Sequence, residues 1–75
     1  MKIEVLGTGC AKCVQLYDNV KKALTMAGTE AEVVKVQDLP SIMKYGVMTT
    51  PALVVDGVVK FSGKLATPEE IRGML

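Results

Sequence analysis

Between two short β-type runs the chain carries one long helical pattern, and that arrangement restricts the architectures open to it. Cys13, Leu16, Tyr17, Val20, Ala23, Leu24 and Ala27 recur at i, i+3, i+4 and i+7, the spacing that lines one face of an α-helix. Lys12, Gln15, Asp18, Asn19, Lys21, Lys22 and Thr25 fill the opposite, polar face. Gly28 suits a left-handed cap at the helix C-terminus. Residues 3–6 read as a strand before the helix. Residues 31–36 read as a strand after it, with Val33, Val34 and Val36 supplying β-branched bulk. A strand, a helix and a strand in this order predict a parallel pair with a right-handed crossover.

The second half is organised by turn and cap chemistry. Asp38 is placed to cap a short helix that tolerates Pro40 in its first turn. Ile42, Met43 and Tyr45 form its apolar side, and Gly46 ends it. Residues 52–55 and 58–61 are β-rich runs joined by Asp56-Gly57, one of the strongest short hairpin signals. Gly63 then breaks the chain. Thr67-Pro68-Glu69-Glu70 is a capping box with proline at the first helical position. A last helix is expected from there to the C-terminus, with Ile71, Met74 and Leu75 apolar. The order β-α-β-α-β-β-α predicts an α/β fold, a central mixed four-stranded sheet flanked by three helices, in a single domain over residues 1–75.

Composition narrows the function classes. A domain of 75 residues buries only about 60% of its unfolded surface, so it needs an efficient core, and 49% hydrophobic residues are enough for one. Methionines stand scattered at Met1, Met26, Met43, Met48 and Met74 and read as core filler. A formal net charge of +1 without a run of like charges, and the lack of tryptophan, argue against a nucleic-acid partner. No stretch approaches the roughly 20 apolar residues that span a bilayer. Residues 1–6 lack the apolar core of a secretory signal. The expectation is a cytoplasmic protein with no membrane partner.

In that compartment the two cysteines, in Cys10-Ala11-Lys12-Cys13, are expected to do chemistry rather than staple a fold. A helix start gathers unpaired N–H groups and the positive end of the helix dipole, and both favour a thiolate. Cys13 belongs to the apolar stripe and should face the core. Cys10 precedes the first turn and should be accessible. Cys10 is therefore the expected nucleophile and Cys13 the resolving thiol. Lys12 is a second cation for the Cys10 thiolate, though its place on the polar face points it to solvent. Thr50-Pro51 stands directly before the third strand, a position where proline is tolerated.

Taken together, Cys10-Ala11-Lys12-Cys13 after the first strand, Thr50-Pro51 before the hairpin, Val54-Val55-Asp56-Gly57 within it, Gly63 and the capped last helix resemble the thioredoxin superfamily. Nearly the whole chain takes part, and its length resembles the very small prokaryotic thioredoxin-like and glutaredoxin-like proteins. The resemblance implies a thioredoxin-like fold and a cis Thr50–Pro51 bond beside Cys10. It implies a substrate site that includes Thr50 and Pro51, with Gly63 as a further candidate. It also implies disulfide-containing protein substrates and a reductase that restores the dithiol. No cofactor is expected.

The chain departs in places from the pattern it resembles. Ala11-Lys12 is neither Gly-Pro nor Pro-Tyr, and no tryptophan precedes Cys10. Ser62-Gly63-Lys64-Leu65 lacks the Gly-Gly and acidic residues with which glutaredoxins hold glutathione, so a thioredoxin-reductase-like donor is expected over glutathione. Thioredoxins carry a buried carboxylate beneath the resolving cysteine, and Glu4 is the nearest candidate here. A lone carboxylate in a central strand is costly, so Glu4 is expected at a solvated strand end.

Two other functions use the same residues. Gly7-Thr8-Gly9-Cys10 also resembles the loop of small copper- and heavy-metal-binding domains, in which Cys10 and Cys13 would hold a soft ion such as Cu(I). Those carriers run β α β β α β and end on a strand, so element order separates the readings. A regulatory binding module could use Tyr17, Met48 and Leu65 as a docking surface, but core packing is the simpler expectation for each.

Overall fold

Alternation along the first strand sets the layers of the molecule. A computed structural model describes residues 1–9 and 11–75. In β1 (Lys2–Leu6), Ile3 and Val5 point to one side of the sheet, and Glu4 and Leu6 to the other. Ile3 and Val5 join the larger core, with Leu16, Val20, Ala23 and Leu24 of α1 (Ala11–Ala27). Ile71 of α3 (Pro68–Arg72) completes that side. Leu6 joins a smaller core with Val54, Val47 and Ile42, the last on α2 (Leu39–Lys44). Helices α1 and α3 thus cover one face of the sheet and α2 the other.

The sheet order is β2-β1-β3-β4, where β2 spans Glu32–Val36, β3 Ala52–Val55 and β4 Val58–Ser62. β1 pairs parallel with β2 and antiparallel with β3, as expected for a mixed sheet. β3 is buried at every residue, which explains its unbroken apolar run. The hairpin turns on Asp56 and Gly57, at φ +50° and +82°, the doubly left-handed turn that an Asp-Gly pair favours. A register shift between Leu53 and Val54 leaves Lys60 as the extra residue of a bulge in the edge strand β4.

The caps follow the local sequence. The Asp38 carboxylate accepts the Ser41 N–H at 3.1 Å. Thr67 and Glu70 make the reciprocal capping box. Gly28 takes φ +65°, and the Thr29 N–H returns to the Leu24 carbonyl at 3.0 Å. The last helix is shorter than expected. It stops at Arg72, and Gly73 caps it, while Met74 and Leu75 still pack against the larger core.

Asn19, assigned to the polar face of α1, is only 7% exposed. Its side chain donates to the Ala66 carbonyl at 2.9 Å and accepts from Gln15 at 2.9 Å. A buried amide is tolerable there because it is hydrogen-bonded on both sides. The methionine expectation fails at Met1, Met26, Met43 and Met48, which are 50%, 44%, 70% and 96% exposed. Among the described residues no helix is long and apolar enough to cross a membrane.

Candidate functional site

Cys13 occupies the first turn of α1 on its buried stripe and is 6% exposed. It lies against the end of β1. The Gly7 N–H donates to the Val36 carbonyl at 2.9 Å, extending the parallel pairing one step beyond the strand. Alternation then turns Gly7 to the same face as Val5, toward α1. A Cβ built on Gly7 would overlap the Cys13 Sγ, and would lie 3.0 Å from the Cys13 Cβ and 3.9 Å from the Thr50 Cβ. One glycine therefore lets the cysteine helix and the segment before β3 meet at a single point.

That segment is held from the other side by Gly63. The Thr50–Pro51 peptide bond is cis. The Gly63 N–H donates to the Pro51 carbonyl at 2.9 Å. Gly63 sits at φ +69°, and a Cβ there would fall 2.6 Å from the Thr49 Oγ1. Both the left-handed backbone and the close approach require glycine at this position.

Of the residues singled out from the sequence, the structure brings together Cys13, Thr50, Pro51 and Gly63. Lys12 is exposed in the first turn of α1. Cys10, the expected nucleophile, lies outside the described residues. It directly precedes Ala11, the first residue of α1, in the sequence, and that helix has no acidic residue in its first turn. Gly7 and Thr49 were not singled out as site residues. A glycine after a strand looks like any loop glycine, and only its approach to Cys13 distinguishes it.

Glu4 does not sit at a solvated strand end. It stands in mid-strand, paired with Val34 and Val54, and is half-buried. Its carboxylate accepts the Tyr45 hydroxyl at 2.8 and 2.9 Å, which offsets the cost of removing it from water. That hydrogen bond also holds the Tyr45 hydroxyl above its ordinary pKa of 10.0. The carboxylate faces the α2 side, opposite the face that carries Cys13.

Two recesses flank the meeting point. A cavity of about 20 Å³ is lined by Val5, Gly7, Gly9, Cys13, Val14, Lys35 and Gln37. On the other side an open groove of about 370 Å³ runs past Thr8 and Thr50 and is walled by Leu39, Met43 and Met48. The three wall residues are exposed, so Met48 does not take the core position expected of it.

The sequence profile of the thioredoxin domain family matches residues 1–75. The chain is 47% identical over 70 residues to a thioredoxin of Methanocaldococcus jannaschii, covering 93% of this chain and 80% of that one. It is 40% identical over 75 residues to a thioredoxin of Methanothermobacter thermautotrophicus, covering 100% of this chain and 97% of that one.

Proposed function

The chain belongs to the thioredoxin domain family and is a thiol–disulfide oxidoreductase, and from that premise we propose that it acts on protein disulfides through a Cys10/Cys13 couple. The Cys10 thiolate attacks a substrate disulfide. A mixed disulfide forms and one substrate thiolate leaves. The Cys13 thiolate then attacks the Cys10 sulfur, forming the Cys10–Cys13 disulfide and releasing the second substrate thiolate. Two electrons pass to the substrate. A reductase of the thioredoxin-reductase type, in a cytoplasmic setting, returns the pair to the dithiol.

The observation that carries this reading is that Cys13 and Thr50 both approach the place where a side chain on Gly7 would stand. It supports a single site in which a substrate chain lies along Thr50 and Pro51 in an extended form, adding to the protein like a strand. Such a chain would run beside the apolar wall of Leu39, Met43 and Met48. The whole of residues 1–75 is proposed to work as one domain. The soft-metal reading loses support from element order, because the last element is α3 and not a strand.

Trapping tests the reading. Cys13→Ser, mixed with a disulfide-containing protein, should accumulate a covalent adduct seen by mass spectrometry and released by added thiol. Cys10→Ser should form none. Full turnover by Cys13→Ser without added thiol would exclude the resolving role.

A further inference from the structure

Two methionines wall the open groove beside Thr50, although methionine is among the residue types most often buried. Met48 is almost fully exposed and Met43 largely so. Local structure sets their placement. On α2, Ile42 is the buried residue, while Leu39 and Met43 stand four apart on an exposed face of the helix. Gly46 then turns the chain at φ +74°. Val47 returns to the smaller core, and Met48 is left outside it, two residues before Thr50. With Leu39, the two thioethers line a groove of about 370 Å³ that reaches Thr8 and Thr50.

An exposed apolar wall of this kind marks a contact surface. Built from methionine, it has a reactivity that leucine or valine would not give it. Oxidation to the sulfoxide turns a flexible apolar side chain into a polar, chiral one. The other methionines are placed differently. Met1 and Met26 are half-exposed but stand before β1 and near the end of α1. Met74 packs against the larger core. An oxidant arriving through solvent therefore meets the groove methionines first.

Resting on the exchange reading above, we propose that Met43 and Met48 form a peroxide-sensitive modification site whose sulfoxides weaken the docking of a protein substrate and leave the thiol chemistry intact. The thioether sulfur attacks hydrogen peroxide, and the O–O bond breaks. One oxygen stays on sulfur as the sulfoxide, and the other leaves as water with both protons. Sulfur loses two electrons and the peroxide gains them. A substrate chain lying along Thr50 and Pro51 then meets polar S=O groups on the groove wall. Covering them costs free energy wherever the chain offers no hydrogen bond. Reduction of the sulfoxides reverses the change.

The test uses the full chain, first oxidised to its Cys10–Cys13 disulfide so that peroxide meets no thiol. Hydrogen peroxide is added and removed, and peptide mass spectrometry locates the added oxygen. Dithiothreitol then drives reduction of insulin and of a small aromatic disulfide. Met48 and Met43 should oxidise ahead of Met26 and Met74. The KM for insulin should rise about five- to tenfold, while the rate with the aromatic disulfide, which is too small to depend on the wall, should hold. M26L should respond to peroxide as the wild type does. In M43L/M48L the KM for insulin should be the same before and after treatment. An unchanged KM in wild type carrying both sulfoxides, an equal rise in M43L/M48L, or an equal loss with both substrates overturns the modification site and leaves the exchange reading standing. Failure of Cys10 and Cys13 to form a disulfide, or no reduction of insulin by the untreated protein, overturns the exchange reading and the modification site with it.

Discussion

The Sγ of Cys13 occupies the space that a side chain on Gly7 would need. Gly7 follows β1 and Cys13 lies on α1, so a larger residue at Gly7 has to displace the thiol. Gly7→Ala is not opposed by a left-handed backbone, so its effect is steric and local to the thiol. Overpacking of this kind should cost about 1–3 kcal/mol and lengthen the life of the mixed disulfide. Urea unfolding and stopped-flow release together measure this. Gly28→Ala makes the contrast, since Gly28 sits at φ +65° with nothing within 4 Å. It should lose about 1–2 kcal/mol from the backbone alone, with the rate of exchange unchanged.

Asn19 ties α1 to the loop before α3. Asn19→Ala removes the donor to the Ala66 carbonyl and leaves a buried acceptor unsatisfied. The expected loss is about 1–3 kcal/mol, read as a lower urea midpoint. The reduction potential of the cysteine pair should not move, because Asn19 sits well along the helix from Cys13. A shifted potential would mean that α1 itself is displaced by the change.

Alkaline stability should report the Tyr45–Glu4 contact. The Tyr45 hydroxyl has its pKa raised above 10.0, first by the hydrogen bond to Glu4. A group raised on folding contributes fully below its unfolded value and loses that contribution as pH climbs through the folded one. Stability should therefore fall from about pH 10 upward. In Tyr45→Phe this part of the decline should be absent, as urea midpoints between neutral and strongly alkaline pH would reveal.

Glu70 should give the opposite dependence. Its pKa is lowered from 4.5, first by the side-chain hydrogen bond with Lys64 and next by the Thr67 N–H. A group lowered on folding stabilises above its unfolded value and stops doing so as pH falls through the folded one. The contribution should be complete above 4.5 and vanish below it. Glu70→Gln should flatten this acid limb of the stability curve. Thr67→Ala, which removes the cap itself, should cost about 1 kcal/mol, and it should do so at neutral pH as well.

Features set by neighbours in the chain were readable in advance. The Asp56-Gly57 hairpin, the Thr67–Glu70 box, the Asp38 cap and the apolar stripe through Cys13 each depend on a few consecutive residues or one helical period. Their energetics are local, so the residue types alone announce them. The element order and the mixed sheet followed by adding the rules that join such elements.

Other features depend on what lies across the fold. Asn19 looked like a surface residue because its helical position borders both faces, and only the Ala66 carbonyl decides which it joins. Met43 and Met48 are apolar, but exposure is a property of the packed surface and not of the side chain. Glu4 was misplaced because its partner stands at Tyr45, on another element.

From the sequence alone came the strand and helix order, Cys13 in the first turn of a helix, and the Thr50-Pro51 step before a buried strand. Tertiary structure decided which groups meet: that Gly7 makes room for Cys13, that Gly63 holds Pro51, that Glu4 turns away from the thiol, and that Lys35 and Gln37 stand beside it. The physical reason is that periodicity and capping act within a turn or a strand. Contacts between β1, β2 and α1 arise only once the sheet has a register and the helix a rotation about its axis.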